Sequence, residues 1–170
     1  SSREDITQIV EQASSAAAEL GVDIIGGHTE ITDSVRTPIV TTTAFGVIDE
    51  NTPRILGKAC PGDSLLMTKT AAIEGTWIIA MNHEDRLLGH VSREDIAGAK
   101  GFISKISVVP DGTLATACIQ EKGLKTDIKN RESSVHLMHD STEGGILGAA
   151  YEMAEFSGIG LTVNIARIPV

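Results

Sequence analysis

The sequence predicts an α/β fold in which helices cover a mixed sheet, and three observations favour it. Helical apolar spacing alternates with short runs rich in β-branched residues. Apolar residues make up 41% of the 170 residues and aromatics only 3%, so we expect an aliphatic core. Glycines and prolines concentrate between residues 49 and 62, which predicts a domain boundary near Gly57 and two domains, 1–56 and 57–170.

The first predicted domain starts with a helix over residues 3–20, where apolar side chains recur at helical spacing and Gly21 is expected to end the helix. A short strand is expected at 22–25. The following GGHTE segment, residues 26–30, is interpreted as a turn that uses the freedom of its glycines. Residues 38–48, with their threonine and valine content, predict a longer strand.

The second predicted domain alternates strands and helices. Strands are expected at 64–68, 134–138 and 160–165, and helices at 71–81, from Ser92, from Pro110 and at 146–157. The helix at 71–81 is expected to be largely buried. The helix at Ser92 is predicted to place Ile96, Ala99, Ile103 and Ile106 on one face, and the next helix to place Leu114, Ala117 and Cys118 on another, so that Cys118 lies in the core.

Charge and cysteine content narrow the function classes. The formal net charge is −9 and no stretch clusters the basic residues, so nucleic acid is not an expected partner. Cys60 and Cys118 lack metal-ligand spacing, which argues against a zinc site or a disulfide framework and favours a reducing cytoplasm. No signal peptide or membrane-length apolar run is visible, so no membrane partner is expected. The abrupt start suggests a piece of a longer chain.

The segment HDSTEGG, residues 139–145, carries the strongest chemical signal. A strand is expected to deliver it, two glycines free its backbone, and a helix begins inside it. Helix N-terminal N–H groups bind anions, Ser141 and Thr142 add donors, and Asp140 with Glu143 can recruit Mg²⁺. The same residues also suit plain helix capping. The excess of polar groups and glycines favours phosphate or metal-phosphate binding, and both interpretations stay open.

Two other segments are weaker candidates. The GGHTE segment repeats the diglycine pattern, but diglycine also occurs in ordinary structural turns. Lys69, Thr70 and Glu74 follow a predicted strand end, where open α/β sheets bind ligands. Both residues also fit purely structural roles: Glu74 would interact favourably with the dipole at the first turn of a helix, and Lys69 would be a solvated surface residue.

Four stretches together resemble a known family: GGHTE, PGDSLLMTKTAAIEGT, SVVPDG and HDSTEGGILGAAYEMAEFSGIG. They are similar to the aminoimidazole ribonucleotide (AIR) synthase-related superfamily, which includes AIR synthase, thiamine-monophosphate kinase, selenophosphate synthetase and the hydrogenase-maturation dehydratase. The similarity is greatest to the hydrogenase-maturation type. It implies that 1–56 is the end of an N-terminal domain that forms a homodimer through its sheet. It also implies that 57–170 is a truncated C-terminal domain, with ATP and Mg²⁺ between the two.

The resemblance also implies site residues. Gly26, Gly27 and Thr29 match a GG-x-T turn in which the family's kinases place an aspartate ligand at the third position. His28 stands there in this chain, which leaves Glu30 as the nearest carboxylate.

The C-terminal motif of the family faces the phosphates. In this chain the residues that match the motif are the proposed nucleotide contacts: Asp140, Ser141, Thr142, Glu143, Gly144 and Gly145. Ser141 occupies a position that more often holds valine or proline in the family. Asp140, Glu143 and Glu30 are the candidate magnesium ligands, and Lys69, Thr70 and Glu74 the candidate substrate contacts.

The implied function is an ATP-dependent enzyme that phosphorylates or activates an amide, a carbonyl or another small-molecule acceptor. Such chemistry depends on positioning and charge neutralisation more than on acid–base groups. The alternative is a non-catalytic nucleotide-binding or scaffold relative, which the residue at position 28 favours. As a fragment, the chain is not expected to turn over by itself.

Overall fold

Helices account for the regular structure of this protein in the computed structural model, which describes residues 2–49, 54, 55, 57–121 and 135–170. The chain divides into two compact units, Ser1–Ile48 and Asp49–Val170. Residue 134 of the predicted strand and several residues of the predicted boundary lie outside the described part.

The first unit has one helix, α1 (Arg3–Glu19), as predicted. Ser2 and Asp5 form a capping box: the Ser2 hydroxyl accepts from the Asp5 N–H at 3.1 Å, and the Asp5 carboxylate accepts from the Ser2 N–H at 2.7 Å. These hydrogen bonds, led by the one from the backbone, hold the pKa of Asp5 below its usual range. Gly21 follows with a φ of 67°, which confirms the predicted stop.

The described residues after α1 in this unit form no strand, so the strands predicted at 22–25 and 38–48 are not confirmed. Their apolar side chains are exposed, for example Ile25 at 77% and Phe45 at 80%. The turn interpretation of residues 26–30 is also wrong, since the chain has no turn or bend there. Neither Gly26 nor Gly27 adopts a positive φ. A strand needs a hydrogen-bonded neighbour, and these segments have none within the described chain.

The second unit contains five described helices: α2 (Ile73–Asn82), α3 (Glu84–Leu87), α4 (Arg93–Lys100), α5 (Val109–Glu121) and α6 (Gly145–Ser157). The prediction included all except α3. Short 3₁₀ helices follow at Gly101–Lys105 and Ile165–Arg167. Helix α2 packs on α4 and on the first 3₁₀ helix. Gly158 ends α6 in the left-handed region, at a φ of 70°.

The described residues of this unit form a small buried core. The buried apolar residues among them are Ala80, Ile96, Ile119, Ala149 and Ala150. The prediction that α2 is largely buried is therefore wrong, since only Ala80 of this helix is buried.

Two predicted helix faces need correction. Ile96 is buried as expected, but Ile103 is 53% exposed, because the α-helix ends at Lys100 and the 3₁₀ turn rotates successive side chains by a larger angle. In α5, Ile119 is fully buried, whereas Leu114 is 66% exposed and Cys118 is exposed. The inward face thus includes Ile119, and the prediction of a core position for Cys118 is wrong.

The predicted mixed sheet is not confirmed. The described residues contain one isolated bridge, between Leu88 and Val91, and no extended ladder. Residues 64–68 have no regular secondary structure and are largely exposed, with Leu66 at 86% exposure. The predicted strand 160–165 runs into the second 3₁₀ helix. His136, expected in a buried strand, is partly exposed.

Among the described helices, none alone has the length and apolar character to cross a membrane. A bent pair, Arg93–Lys105 with Val109–Ile119, meets that test by length and composition only.

Candidate functional site

The turn before α6 has the backbone that its glycines predict. Gly144 and Gly145 both adopt left-handed conformations, with φ values of 77° and 62°. A side chain at Gly144 would also crowd α6, since its Cβ would lie 3.3 Å from the Gly148 Cα. A Cβ at Gly148 would in turn lie 3.1 Å from the Glu143 carbonyl oxygen, which is closer than an ordinary van der Waals contact. The turn therefore lies close against the first turn of α6.

The N-terminus of α6 has no side-chain cap. Its N-cap residue is Gly144, and no side chain accepts a hydrogen bond there. The Gly145 N–H donates to the Thr142 carbonyl at 3.2 Å. Within the described residues, the N–H groups of Ile146 and Leu147 have no acceptor. The capping interpretation of this segment is wrong, and donors remain available for an anion.

The polar side chains of the turn are exposed around these donors. They are Asp140, Ser141, Thr142 and Glu143. None of these side chains accepts a hydrogen bond from the helix. The Asp140 carboxylate lies 3.8 Å from the His139 Nδ1 and is half exposed, so it can still reach a ligand. The structure thus brings the sequence-predicted residues of this motif together with the uncapped helix end.

His139 is a positioning residue that the sequence analysis missed. Its Nε2 lies 2.9 Å from a carboxylate oxygen of Glu152 in α6, and its Nδ1 contacts the carbonyl oxygen of Asp140. The imidazole therefore links the start of the turn to the body of the helix. A histidine preceding a polar turn was the only sequence signal for this role, since Glu152 lies 13 residues farther along.

Lys69 is neither solvated nor free. Its Nζ lies 2.7 Å from both the Asp111 carboxylate in α5 and the Ser107 carbonyl oxygen. The side chains are 27% and 15% exposed, so the ion pair is partly buried. Hydrogen bonding to Lys69 is the largest effect on Asp111, and it holds the pKa of that carboxyl below its ordinary value.

The segment that contains Lys69 has an unusual backbone. Lys69 and Ala72 are non-glycine residues with positive φ, at 61° and 56°. The Ala71 N–H donates to the Pro169 carbonyl at 2.8 Å, which pins the segment to the end of the described chain. Ala72 begins α2 without a side-chain cap, and Thr70 and Glu74 are exposed beside it. Strained backbone of this kind clusters at ligand sites.

The remaining predicted residues belong to the first unit. Gly26, Gly27 and Thr29 are exposed, and the His28 Nε2 lies 4.0 Å from a carboxylate oxygen of Glu30. Both of these side chains are more than 70% exposed, at 85% and 73%. The role of this segment in binding nucleotide and metal stays a prediction.

Comparison with known proteins matches both parts of the chain to one family. The C-terminal domain of AIR synthase related proteins matches residues 60–170, and the N-terminal domain of the same proteins matches residues 1–48. No solved structure matches.

Curated relatives cover nearly the whole chain. It is 26% identical over 168 residues to a carbamoyl dehydratase HypE of Cupriavidus necator, covering 98% of this chain and 41% of the relative. It is 28% identical over 171 residues to a selenide, water dikinase of Rhizobium meliloti, covering 96% of this chain and 40% of the relative. The chain thus spans about two fifths of the length of these proteins.

Proposed function

The chain belongs to the AIR synthase related family, and from this premise we propose that it is part of an ATP- and Mg²⁺-dependent enzyme. The whole protein would phosphorylate, or activate by phosphorylation, an amide or carbonyl oxygen or another small-molecule acceptor. Because the chain spans about two fifths of its relatives, this activity is proposed for the whole protein that contains it.

The observation that carries the proposal is the uncapped N-terminus of α6. Ile146 and Leu147 have N–H groups without acceptors in the described residues, and the left-handed Gly144 leaves the approach to them without a side chain. Such a helix end carries roughly half a positive charge. A phosphate group fits that environment.

The surrounding side chains suit a magnesium-bound phosphate better than a bare one. Asp140 and Glu143 would repel a phosphate anion, whereas Mg²⁺ is commonly bound by one or two carboxylates together with phosphate oxygens. In this proposal Asp140 and Glu143 hold Mg²⁺, and Ser141 and Thr142 donate hydrogen bonds to phosphate oxygens. For the first unit we retain the roles expected from sequence, with Glu30 as a metal ligand and Gly26, Gly27 and Thr29 as nucleotide contacts. Bound ATP supplies the phosphoryl group.

The uncapped start of α2 is proposed as the acceptor side of the site. Thr70 and Glu74 are exposed there and can contact the acceptor. Because the Lys69 ammonium is paired with Asp111, its part is to hold the strained segment in place. The names of the relatives indicate two acceptor classes, a carbamoyl amide and selenide.

The wider expectations from sequence are retained as proposals. They are a boundary near Gly57 between domains 1–56 and 57–170, a homodimer of the whole protein, and a cytoplasmic location. Apolar side chains after α1, such as Ile25 and Phe45, are exposed among the described residues, and this exposure supports the homodimer.

A non-catalytic nucleotide-binding or scaffold protein is the second candidate. The observation in its favour is His28, which stands where the resemblance implies an aspartate ligand and is 85% exposed in this structure. Loss of one metal ligand would weaken turnover more than binding.

Nucleotide binding by the whole protein tests the proposal. We expect ATP to bind only with Mg²⁺, and Asp140→Asn to weaken that binding at least about tenfold while circular dichroism shows intact helices. Asp85→Asn makes the same charge change in α3 and should bind as wild type. Equal binding by Asp140→Asn and wild type would contradict the proposal.

Turnover separates the two candidates once binding is established. ATP consumption that depends on a carbamoyl-amide or selenide acceptor is expected of the enzyme, with ADP as the product of one phosphoryl transfer and AMP as the product of two. Binding without acceptor-dependent ATP consumption would favour the scaffold.

A further inference from the structure

A second cluster of polar side chains lies apart from the α6 turn. Cys60, Asp63 and His136 each place one potential metal-ligating atom within 4.8 Å of the other two. Cys60 and Asp63 come from one short loop, while His136 is 73 residues farther than Asp63 along the chain. This separation hides the cluster from any search for ligand spacing in the sequence.

Hydrogen bonds hold the cluster together. A carboxylate oxygen of Asp63 lies 2.7 Å from the His136 Nδ1 and accepts the Cys60 N–H, also at 2.7 Å. The Cys60 bond, followed by the His136 bond, holds the pKa of Asp63 below its ordinary value.

Packing fixes the two segments against each other. A Cβ at Gly57 would lie 2.8 Å from the His136 carbonyl oxygen, so only glycine permits this approach. The Ala59 N–H donates to the Ser157 hydroxyl at 3.0 Å, which fastens the loop beside the last residue of α6. Because α6 has 13 residues, its two ends are about 20 Å apart, so the cluster is separate from the turn at Gly144.

The aspartate–histidine pair leaves the third side chain of the cluster unused. The Cys60 sulfur contributes nothing to that pair, and its hydrogen bond to the Lys58 carbonyl, at 3.6 Å, is weak. The His136 Nδ1 is the ring nitrogen that faces Asp63 and would be the ligand atom. The Nε2, on the other side of the ring, is buried and has no hydrogen-bond partner within the described residues.

We propose that Cys60, Asp63 and His136 form a binding site for one Zn²⁺ ion. Thiolate, imidazole and carboxylate are the three ligand types that zinc takes in proteins, and three protein ligands leave a fourth position for water or another ligand. Mg²⁺ avoids thiolate ligands, so the ion expected here differs in class from the one proposed at the α6 turn. The proposal does not depend on nucleotide binding.

The test is metal titration of the full chain, purified without metal and under reduction. Zn²⁺ alone should bind with a stoichiometry of one, measured by competition with a chromophoric chelator. Co²⁺ alone should produce a thiolate-to-cobalt charge-transfer band. Cys60→Ser and His136→Ala should each weaken Zn²⁺ binding at least about tenfold, and Cys60→Ser should abolish the cobalt band. Far-ultraviolet circular dichroism confirms that each variant keeps its helices.

Cys118→Ser is the matched control, because Cys118 is the other free cysteine and lies exposed on α5. It should bind Zn²⁺ as wild type and retain the cobalt band. The proposal is overturned if wild type shows no saturable binding, if Co²⁺ binds without a thiolate band, or if Cys60→Ser binds as tightly as wild type. Loss of binding in Cys118→Ser alone would also overturn it.

Discussion

Helices α4 and α6 begin in the same unit with similar polar sequences, yet their N-termini differ. The Ser92 hydroxyl accepts from the Asp95 N–H at 3.0 Å and donates to the Asp95 carboxylate at 2.6 Å, so α4 is capped by its own residues. Helix α6 begins at the left-handed Gly144, and no side chain of its polar turn caps it. The polar residues at α6 are therefore not explained by the needs of the helix.

The same contrast extends to two more helices. Helix α1 is capped by Ser2, as α4 is by Ser92. Helix α2, like α6, starts from a left-handed residue, Ala72, without a side-chain cap. Helix α3 also starts without a side-chain cap, at His83, where the sequence predicts no ligand. The feature that α2 and α6 share with each other and not with α3 is a left-handed residue at the helix start. An uncapped start at a left-handed residue is thus the structural feature that accompanies the two predicted ligand segments of this unit.

The largest expected effect on stability is at the glycine that begins α6. Gly144→Ala should lower the free energy of unfolding by about 1–2 kcal/mol, because alanine disfavours the left-handed region and its Cβ would crowd Gly148. Urea denaturation followed by circular dichroism measures this change.

The matched substitution in α4 should have the opposite sign. Gly98 lies inside that helix with open space around its Cβ position. Gly98→Ala should therefore raise the free energy of unfolding by about 0.5–1 kcal/mol. If both substitutions stabilise the protein, Gly144 does not have the left-handed backbone conformation described for the start of α6.

Removing a serine hydroxyl should destabilise the protein at the capped start of α4 and leave its stability almost unchanged at the uncapped start of α6. Ser92→Ala should lower the free energy of unfolding by about 1 kcal/mol, because the Asp95 N–H loses its acceptor. Ser141→Ala removes a hydroxyl that caps nothing and should stay within about 0.5 kcal/mol of wild type. A loss at Ser141 as large as that at Ser92 would restore the capping interpretation.

The smallest expected effect is a pH dependence at the start of α5. Pairing with Lys69 lowers the folded-state pKa of Asp111. The ionised carboxylate therefore stabilises the folded protein above its unfolded pKa of about 3.9. This stabilisation is lost as the pH falls through the lower folded-state pKa. The difference in unfolding free energy between wild type and Asp111→Asn should be constant from pH 5 to 7. It should shrink below about pH 4. A difference that grows with acid would have the wrong sign.

The helices were predictable from sequence because their signals are local. Ser92 with Asp95, Gly21 and Gly158 determine where helices begin and end through residues a few positions apart. The face of α5 and the bend after α4 were not predictable, since Ile119 and Ile103 are placed by packing and by a change of helix type. The sheet depends on pairing partners, which apolar runs such as 38–48 do not specify.

The candidate site was predictable only in part, for the same reason. The left-handed glycines and the crowd of polar residues before α6 are contiguous and therefore visible in the sequence. The His139–Glu152 and Lys69–Asp111 contacts, like the cluster around His136, join residues distant in the chain. No spacing rule connects such pairs, so only the folded structure reveals them.

Backbone amide chemical shifts of the full chain, followed while Mg²⁺ and inorganic phosphate are added, test the central claim most directly. The account predicts saturable shifts of the Ile146 and Leu147 amides, whose N–H groups have no acceptor in the described part of the chain. The Asp95 amide, already bonded to Ser92 at the capped start of α4, should not respond. Unchanged α6 amides, or equal responses at α4 and α6, would contradict the claim that the uncapped end of α6 is the phosphate site.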